Sequence, residues 1–287
     1  MTAPLRFLII DGYPKHSRNE LQDAGMKLAW ELYAEMLLQH QPKAVYDVLL
    51  PSDTGVNMPS AKELHKYVGI IWTGCNLTIY DTDNPYVTSQ IELAKNAYEI
   101  GIPSFGSCWG IQMAAVAAGG RVEANPKGRE MGMARKIHQS PAAYDHPMFE
   151  GKPRVFEGFV SHDDFVTKIP DGAVLLAGNS FAPVQALAVT HKSGTFWATQ
   201  YHCEYNLYEV ARLIVAREKK LIASGFFRDH DDLVQLVERM EALAKEPDRK
   251  DLRWQLAIDD DVLSDSIRQC EFVNWLNKLV LPTAGYI

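Results

Sequence analysis

The segment Gly106-Ser107-Cys108-Trp109-Gly110-Ile111-Gln112 places a cysteine at a sharp turn between a strand and a helix. A short apolar run, residues 102–105, precedes the turn, and a helix-forming run, residues 113–118, follows it. The flanking glycines let the backbone bend tightly, and such a turn pushes the side chain at its tip out above the sheet. The start of the helix favours a thiolate over a thiol. Cys108 is therefore predicted to be a nucleophile.

Continuous apolar runs separated by helical segments predict an α/β fold, with a mostly parallel sheet covered by helices on both faces. The predicted strands before the turn lie at residues 7–10, 45–50, 68–72 and 102–105, and the predicted helices at residues 21–39 and 87–100. Later apolar runs are more closely spaced and are expected to extend the sheet in a mixed way, at residues 155–160, 174–177, 184–189 and 196–201.

The composition changes after about residue 205, and the remainder of the chain is predicted to be mainly helical. Five apolar residues fall on one helical face behind the N-cap candidate Asp229: Leu233, Leu236, Val237, Met240 and Leu243. We divide the chain into a catalytic domain, residues 1–210, and a helical C-terminal extension, residues 211–287. The extension is expected either to cap the site or to form a homodimer interface.

A second motif strengthens the interpretation of the first. The segment Gln200-Tyr201-His202-Cys203-Glu204 follows a strand-like run, and in an extended chain His202 and Glu204 point to the same side. An imidazole can take the thiol proton, and a carboxylate can fix its tautomer and stabilise its charged form. Each residue alone is more often structural, but together they predict a catalytic triad of Cys108, His202 and Glu204.

Four motifs in one order resemble those of the class I (triad) glutamine amidotransferases, over roughly residues 5–210. The Cys108 segment looks like the family's G-x-C-x-G-x-Q elbow, and the His202 segment resembles its Q-F-H-P-E motif. The segment Ile71-Trp72-Thr73-Gly74-Cys75-Asn76 looks like its first oxyanion loop, and Ser161-His162-Asp163-Asp164 resembles its S-H-x-D stretch. The resemblance implies a flavodoxin-like sheet.

The resemblance also implies roles for individual residues. Cys108 would attack a γ-glutamyl carbonyl to form a thioester, with His202 as base and then acid, and Glu204 as orienter. Backbone N–H groups of Trp109 and Cys75, with Gly74 beside them, would form the oxyanion hole. Four residues are expected to bind the substrate: Asn76, Gln112, Ser161 and His162.

Several residues depart from the family pattern. Cys75 replaces a glycine, Asn76 and Cys203 each replace a proline, and Trp109 is bulkier than the usual leucine. We expect these changes to alter the pocket mouth, which Tyr80, Trp109, Tyr201 and Tyr205 could line with aromatic rings, whereas Trp72 is expected in the core. Such a mouth could accept an N-substituted γ-glutamyl amide, and Trp109 is expected to decide between glutamine and larger amides.

Three cysteines lie in the predicted active-site motifs, and this raises a redox hypothesis. Oxidation could link Cys75 or Cys203 to Cys108 and silence the enzyme. The simpler alternative is that Cys75 and Cys203 are small residues that fill tight positions.

The rest of the composition narrows the class of protein. The net charge of −7 over 287 residues gives no electrostatic basis for binding nucleic acid or an anionic membrane. The four cysteines form no disulfide-rich or C-x₂-C zinc pattern, so we expect a cytoplasmic protein with no metal and no cofactor.

Three functions remain open at this point. The first is a stand-alone hydrolase of a small γ-glutamyl amide, and the altered motifs and the extension favour it. The second is a glutaminase subunit that supplies ammonia to a separate synthase chain, because no phosphate-binding loop of an ATP-using synthetase is present. The third is a non-catalytic regulatory module, which the presence of Cys108, His202 and Glu204 disfavours.

Overall fold

A computed structural model describes residues 4–285. The strands, in chain order, are β1 Arg6–Ile10, β2 Val45–Leu49, β3 Gly69–Trp72, β4 Ser104–Ser107, β5 Arg121–Ala124, β6 Glu130–Gln139, β7 Val155–His162, β8 Asp164–Lys168, β9 Ala173–Gly178, β10 Ala186–His191 and β11 Gly194–Thr199. The helices are α1 Lys15–Asp23, α2 Ala29–His40, α3 Ala61–Leu64, α4 Pro85–Ile100, α5 Trp109–Ala117, α6 Leu207–Ala216, α7 Glu218–Ala223, α8 His230–Lys245, α9 Lys250–Leu256, α10 Asp260–Leu263, α11 Asp265–Arg268, α12 Cys270–Trp275 and α13 Leu281–Thr283.

Nine strands form one sheet in the order β2-β1-β3-β4-β11-β10-β9-β6-β7, and β5 pairs with β8 in a separate ribbon. The five strands from β2 to β11 run parallel, and the four beyond β11 are antiparallel. The predicted α/β fold with a mostly parallel sheet is therefore confirmed. None of the helices within residues 4–285 is long and apolar enough to span a lipid bilayer.

The continuous apolar run of β1 is explained by burial on both faces of the sheet. Phe7 and Ile9 belong to one core, which they share with residues of α2 and α12. Leu8 and Ile10 belong to the opposite core, which they share with residues of α4 and α5. Because successive side chains of a strand point to opposite faces, a strand covered on both sides must be apolar at every position.

The predicted single helix at residues 21–39 is wrong, because the chain breaks it into α1 and α2. Gly25 has a φ of 81°, a conformation that side chains with a Cβ disfavour. The N–H of Gly25 donates to Gln22 O, and the N–H of Met26 donates to Leu21 O, which closes α1 with a Schellman-type turn. Strands β5, β6 and β8 were not predicted from the sequence.

The C-terminal helices pack into the same core as the sheet. Trp275 of α12 lies against Phe7 of β1, with ring centroids 6.0 Å apart, and Phe272 packs edge-on against Phe105 of β4 at 5.4 Å. The domain boundary predicted at residue 210 falls inside α6.

A buried ion pair fixes α12 to the rest of the molecule. The Nζ of Lys152 lies 3.1 Å from the carboxylate of Glu271, and both side chains are almost completely buried. The hydroxyl of Tyr201 donates to the same carboxylate, and Lys152 also donates to Ile267 O at 2.8 Å. Tyr201 directly precedes His202, so α12 supports the segment that bears the predicted base.

Replacing Glu271 with alanine leaves the Lys152 charge buried without a partner. We expect Glu271→Ala to lower the free energy of unfolding by about 3–5 kcal/mol. Urea unfolding followed by tryptophan fluorescence measures this change. The control Glu92→Ala breaks the exposed pair between Glu92 and Lys95, and should cost less than about 1 kcal/mol. Equal unfolding midpoints for Glu271→Ala and the wild type would contradict the assignment.

Candidate active site

The candidate site lies where four parallel strands end at the same edge of the sheet. Tyr13 follows β1, Cys75 follows β3, Cys108 follows β4 and His202 follows β11. Carboxyl ends of parallel strands meet at one edge, where open α/β sheets bind their ligands. The topology therefore brings together residues that are distant in the sequence.

Cys108 occupies a strained turn at the start of α5. Its φ is 52° and its ψ is −92°, and it is the N-cap residue of the helix. The N–H of Cys108 donates to Thr199 O of β11 at 2.8 Å, which holds the turn against the neighbouring strand. Non-glycine residues with positive φ are uncommon and concentrate at functional sites.

His202 is oriented by a buried carboxylate. Its Nδ1 lies 2.6 Å from Oε1 of Glu204, and the hydroxyl of Ser107 donates to the same oxygen at 2.8 Å. The N–H of His202 donates to Phe159 O at 2.7 Å, and the ring of Tyr205 stacks on the imidazole with centroids 4.0 Å apart. These contacts leave Nε2 as the imidazole nitrogen available to Cys108.

The electrostatics favour a charged imidazole. Burial disfavours the imidazolium, but the negative charges of Glu204 and Cys108 and hydrogen bonds to both outweigh it and raise the pKa of His202 to about 10. The imidazole of His202 is therefore protonated at neutral pH, as a residue that gives a proton to a leaving group requires.

A cavity of about 310 Å³ opens beside the Cys108 sulfur, at the small end of the range for ligand pockets. Six of the predicted site residues line it: Cys75, Asn76, Cys108, Gln112, Ser161 and His162. Gly74, Trp109, His202 and Glu204 lie outside its lining.

The polar side chains that line this cavity differ in how many hydrogen bonds they already make within the protein. The Oε1 of Gln112 is buried and has no hydrogen-bond partner within residues 4–285. The side chain of Asn76 donates to Ser17 Oγ at 2.8 Å, and the hydroxyl of Ser161 accepts from Arg129 at 2.9 Å. The imidazole of His162 is held between Glu130 Oε2 and a backbone carbonyl, both at 2.9 Å. Among these four side chains, Gln112 is therefore the one with a polar atom left free for a substrate.

The backbone beside Cys108 offers unused donors. The N–H groups of Cys75 and Trp109 donate to no acceptor in the part of the chain that the structure describes. Trp109 is the first residue of α5, where N–H groups have no partner within the helix. Gly74 allows a close approach, because a Cβ at this position would lie 2.8 Å from Cε1 of His202.

Comparisons with known proteins place the chain in a family. Residues 55–219, more than half of the chain, match the class-I glutamine amidotransferase family. The chain belongs to this family. A γ-glutamyl-L-1-hydroxyisopropylamide hydrolase from a Pseudomonas species is 31% identical over 98% of this chain and 95% of its own length. A GMP synthase from Thermosipho africanus is 31% identical over 60% of this chain, and the match spans 30% of the synthase.

Solved structures agree with the class-I glutamine amidotransferase fold. A glutamine amidotransferase from Thermotoga maritima superposes with a TM-score of 0.68 at 18% identity, over 97% of this chain and 99% of its own. One from Methylobacillus flagellatus has a TM-score of 0.61 at 17% identity, over 100% of this chain and 96% of its own. At these identities the likeness concerns the fold.

The aromatic pocket mouth expected from the sequence is largely wrong. Trp109 is buried in the core, where its Nε1 donates to Gln90 Oε1 at 3.0 Å, so its side chain cannot select the substrate. Tyr201 is also buried, and Tyr205 supports His202 instead of lining the cavity. Of the four aromatic residues, Tyr80 alone lines the cavity. Trp72 is fully buried, as expected.

The hypothesis that oxidation links Cys75 or Cys203 to Cys108 stays a prediction. All four cysteines are free thiols. Burial raises the pKa of the thiols of both Cys75 and Cys203. A raised pKa lowers the fraction of thiolate, which is the attacking species in disulfide exchange, and so slows disulfide formation by these two residues.

The sequence motifs missed several residues of the cavity: Tyr13, Arg129, Arg217 and Lys220. The position of Tyr13, just after β1, follows the rule that ligands bind beyond the carboxyl ends of parallel strands, so this residue could have been predicted. Asp11, at the end of β1, accepts from the N–H of Tyr13 at 3.0 Å and shapes this loop. Burial raises the pKa of Asp11 to about 6.

Gly74→Ala should displace His202 and leave the fold intact. Because the added Cβ would meet Cε1 at 2.8 Å, the imidazole must shift, and a shift near 1 Å costs about 10²-fold in the rate of amide hydrolysis. The control Gly119→Ala introduces an alanine at a φ of 92° with no neighbour within 4 Å. It should lose some stability and keep its activity. Full activity of Gly74→Ala would show that the close approach is unimportant.

Glu204→Gln should lower the pKa of His202, because it removes the negative charge that most favours the imidazolium. NMR of ¹³C-labelled histidine measures the titration. A folded-state pKa of about 10, above the usual 6.5, stabilises the fold fully below about pH 6.5 and loses this effect as pH rises through 10. The unfolding free energy should therefore fall less across this window in Glu204→Gln than in the wild type.

The control for this titration is Glu218→Gln, which removes the partner of the exposed His230. That variant should leave the titration of His202 unchanged. Identical His202 midpoints in the wild type and Glu204→Gln would disprove the ion pair.

Proposed function

We propose that this enzyme hydrolyses the γ-glutamyl amide bond of a small N-substituted γ-glutamyl amide, with Cys108 as the nucleophile. The observation that carries the proposal is the extent of the match to the Pseudomonas hydrolase. That match covers 98% of this chain and therefore includes the C-terminal extension. GMP synthases align over less of this chain, 60% for the one from Thermosipho africanus and 88% for the one from Thermosipho melanesiensis, and the matches span 30% and 41% of those synthases. The family itself is one of C–N hydrolases.

In the first step, the sulfur of Cys108 attacks the γ-carbonyl carbon, and the carbonyl oxygen becomes an oxyanion. The free N–H groups of Cys75 and Trp109, with Gly74 beside them, support an oxyanion hole at this position, because such donors stabilise the charge that develops. The tetrahedral intermediate then collapses, the C–N bond breaks, and His202 gives its proton to the departing amine. A γ-glutamyl thioester remains on Cys108.

In the second step, water attacks the thioester carbon while Nε2 of His202 takes a proton from that water. The C–S bond breaks, which releases glutamate and restores the thiolate beside the charged imidazole. Glu204 holds Nδ1 throughout and stabilises each charged form of the ring. The same groups therefore act in both steps.

The glutamyl end of the substrate would lie toward Gln112. Its buried Oε1 lacks a partner, and an ammonium group would supply the missing donor. Ser161 and His162 are expected to contribute backbone groups at the same end, and Asn76 to contribute from the oxyanion loop. The carbonyl oxygen of Ser161 lies 4.0 Å from the Cys108 sulfur, within reach of a small ligand.

A second candidate is a glutaminase subunit that supplies ammonia to a separate synthase. The similarity to GMP synthases favours it, since a synthase from Thermomicrobium roseum is 35% identical over 60% of this chain. The match spans 29% of that synthase, so most of its length has no counterpart here. This alternative predicts slow turnover of glutamine by the isolated chain and faster turnover when the synthase partner is added.

Cys108→Ala should abolish hydrolysis of a γ-glutamyl anilide, with a loss of about 10⁴-fold or more, because the thioester can no longer form. Mass spectrometry of the rapidly quenched wild type should detect one γ-glutamyl group on Cys108. The control Cys270→Ala removes a thiol whose sulfur donates to Glu150 O, far along the chain from the motifs, and should retain activity.

Glutamine turnover distinguishes the candidates. Fast hydrolysis of the anilide with poor hydrolysis of glutamine supports the first proposal, and activity that needs an added synthase supports the second. Full activity in Cys108→Ala would overturn both. No turnover of any substrate together with no alkylation of Cys108 would indicate the non-catalytic alternative.

A further inference from the structure

We propose that Arg217 forms an anion subsite for a carboxylate on the leaving amine, which makes γ-glutamyl derivatives of amino acids the favoured substrates. This inference rests on the proposed γ-glutamyl amide hydrolysis and narrows it. Nothing in the family motifs points to Arg217, which lies between α6 and α7, beyond the segment that bears His202.

The backbone holds Arg217 firmly at the cavity wall. Its N–H donates to Leu213 O at 3.0 Å, and its carbonyl accepts from the N–H of Leu221 at 2.9 Å. The side chain lines the same cavity as Cys108 and is 15% exposed. An arginine held this way presents its planar fork to a ligand with little loss of freedom.

Among the positively charged side chains that line the cavity, Arg217 has the weakest carboxylate partner. Arg129 and Lys220 both bind Asp163, with Arg129 Nε at 3.0 Å and Lys220 Nζ at 2.9 Å. Within residues 4–285, the one ion-pair partner of Arg217 is Glu20, an exposed residue whose Oε2 lies 3.7 Å away. That distance exceeds a hydrogen bond, so the guanidinium keeps donors for another carboxylate.

The position of Arg217 matches the leaving-group side of the site. Tyr205 stacks on His202, which protonates the departing amine, and Tyr205 packs in one cluster with Tyr13 and residues of α6. The charge of Arg217 acts on the hydroxyls of both tyrosines and opposes the rise in their pKa that burial causes. Gln112 lies one helical turn beyond Cys108 on α5 and marks the glutamyl end. An amine that leaves past His202 therefore meets Arg217.

The experiment compares γ-glutamylglycine with γ-glutamylglycinamide. The two differ only at the glycine carboxyl group, which is a charged carboxylate in the first and a neutral amide in the second. The wild type should hydrolyse γ-glutamylglycine with a kcat/KM about 10- to 100-fold higher, as a charge-assisted hydrogen bond in a shielded site provides. Arg217→Gln should lose this preference and keep its kcat/KM for γ-glutamylglycinamide and for glutamine. Arg217→Lys should retain part of the preference for γ-glutamylglycine, because lysine keeps the positive charge but lacks the planar guanidinium that binds a carboxylate through two N–H groups.

Two controls separate the subsite from other effects. Lys219→Gln removes a neighbouring exposed charge that does not line the cavity, and it should keep the full preference. Calorimetry with Cys108→Ala should show tighter binding of γ-glutamylglycine than of the amide, and the added change Arg217→Gln should abolish that difference.

Three results would overturn the proposal. They are a wild type without charge preference, a preference that survives in Arg217→Gln, and an equal loss on all substrates including glutamine, which would assign Arg217 to the glutamyl end or to folding. Failure of the underlying function is distinguishable, because the wild type would then hydrolyse neither γ-glutamyl compound.

Discussion

The parallel pairing of β4 with β11 is the constraint on which the active site depends. Ser107 lies opposite Thr199, and the N–H of Cys108 donates to Thr199 O one residue beyond the paired strands. This pairing brings the cysteine turn and the histidine segment side by side, although four strands of the same sheet, β6, β7, β9 and β10, lie between them in the sequence. The sheet changes from parallel to antiparallel at the next pair, β11 with β10, so the site lies beside the junction of the two halves of the sheet.

The sequence predicts the parallel half of the fold better than the antiparallel half. Strands buried on both faces are continuous apolar runs, and β1 and β3 fall close to the ranges expected for them. In β6, by contrast, charged and small residues interrupt the apolar pattern over Glu130–Gln139, and no period marks it as a strand. The break at Gly25 was missed because the surrounding composition is helical on both sides, whereas one glycine decides the turn.

The same contrast holds at the site. The family motifs bring Cys108, His202 and Glu204 to one edge of the sheet, and their catalytic roles stay predictions. The prediction that Trp109 contacts the substrate is wrong. It assumed that the residue after the nucleophile must face the substrate, whereas the first turn of α5 directs this side chain into the core. Arg217 could not be predicted, because its place in the cavity depends on how α6 and α7 fold back over the strand ends. The extension thus forms part of the cavity wall, and its role as a homodimer interface stays a prediction.

The stacking of Tyr205 on His202 has a consequence for the order of events. A ring that is clamped on its face and bound through Nδ1 cannot turn over to present its other nitrogen. Under the proposed mechanism, the proton that departs with the amine and the proton that is taken from water must both pass through Nε2. Nε2 cannot exchange protons with the amine and with water at the same time, so the amine has to leave the site before His202 can activate water. If the amine leaves slowly, Nε2 of His202 can take a proton from it, and the amine can then attack the thioester. Re-formation of the amide would therefore compete with hydrolysis.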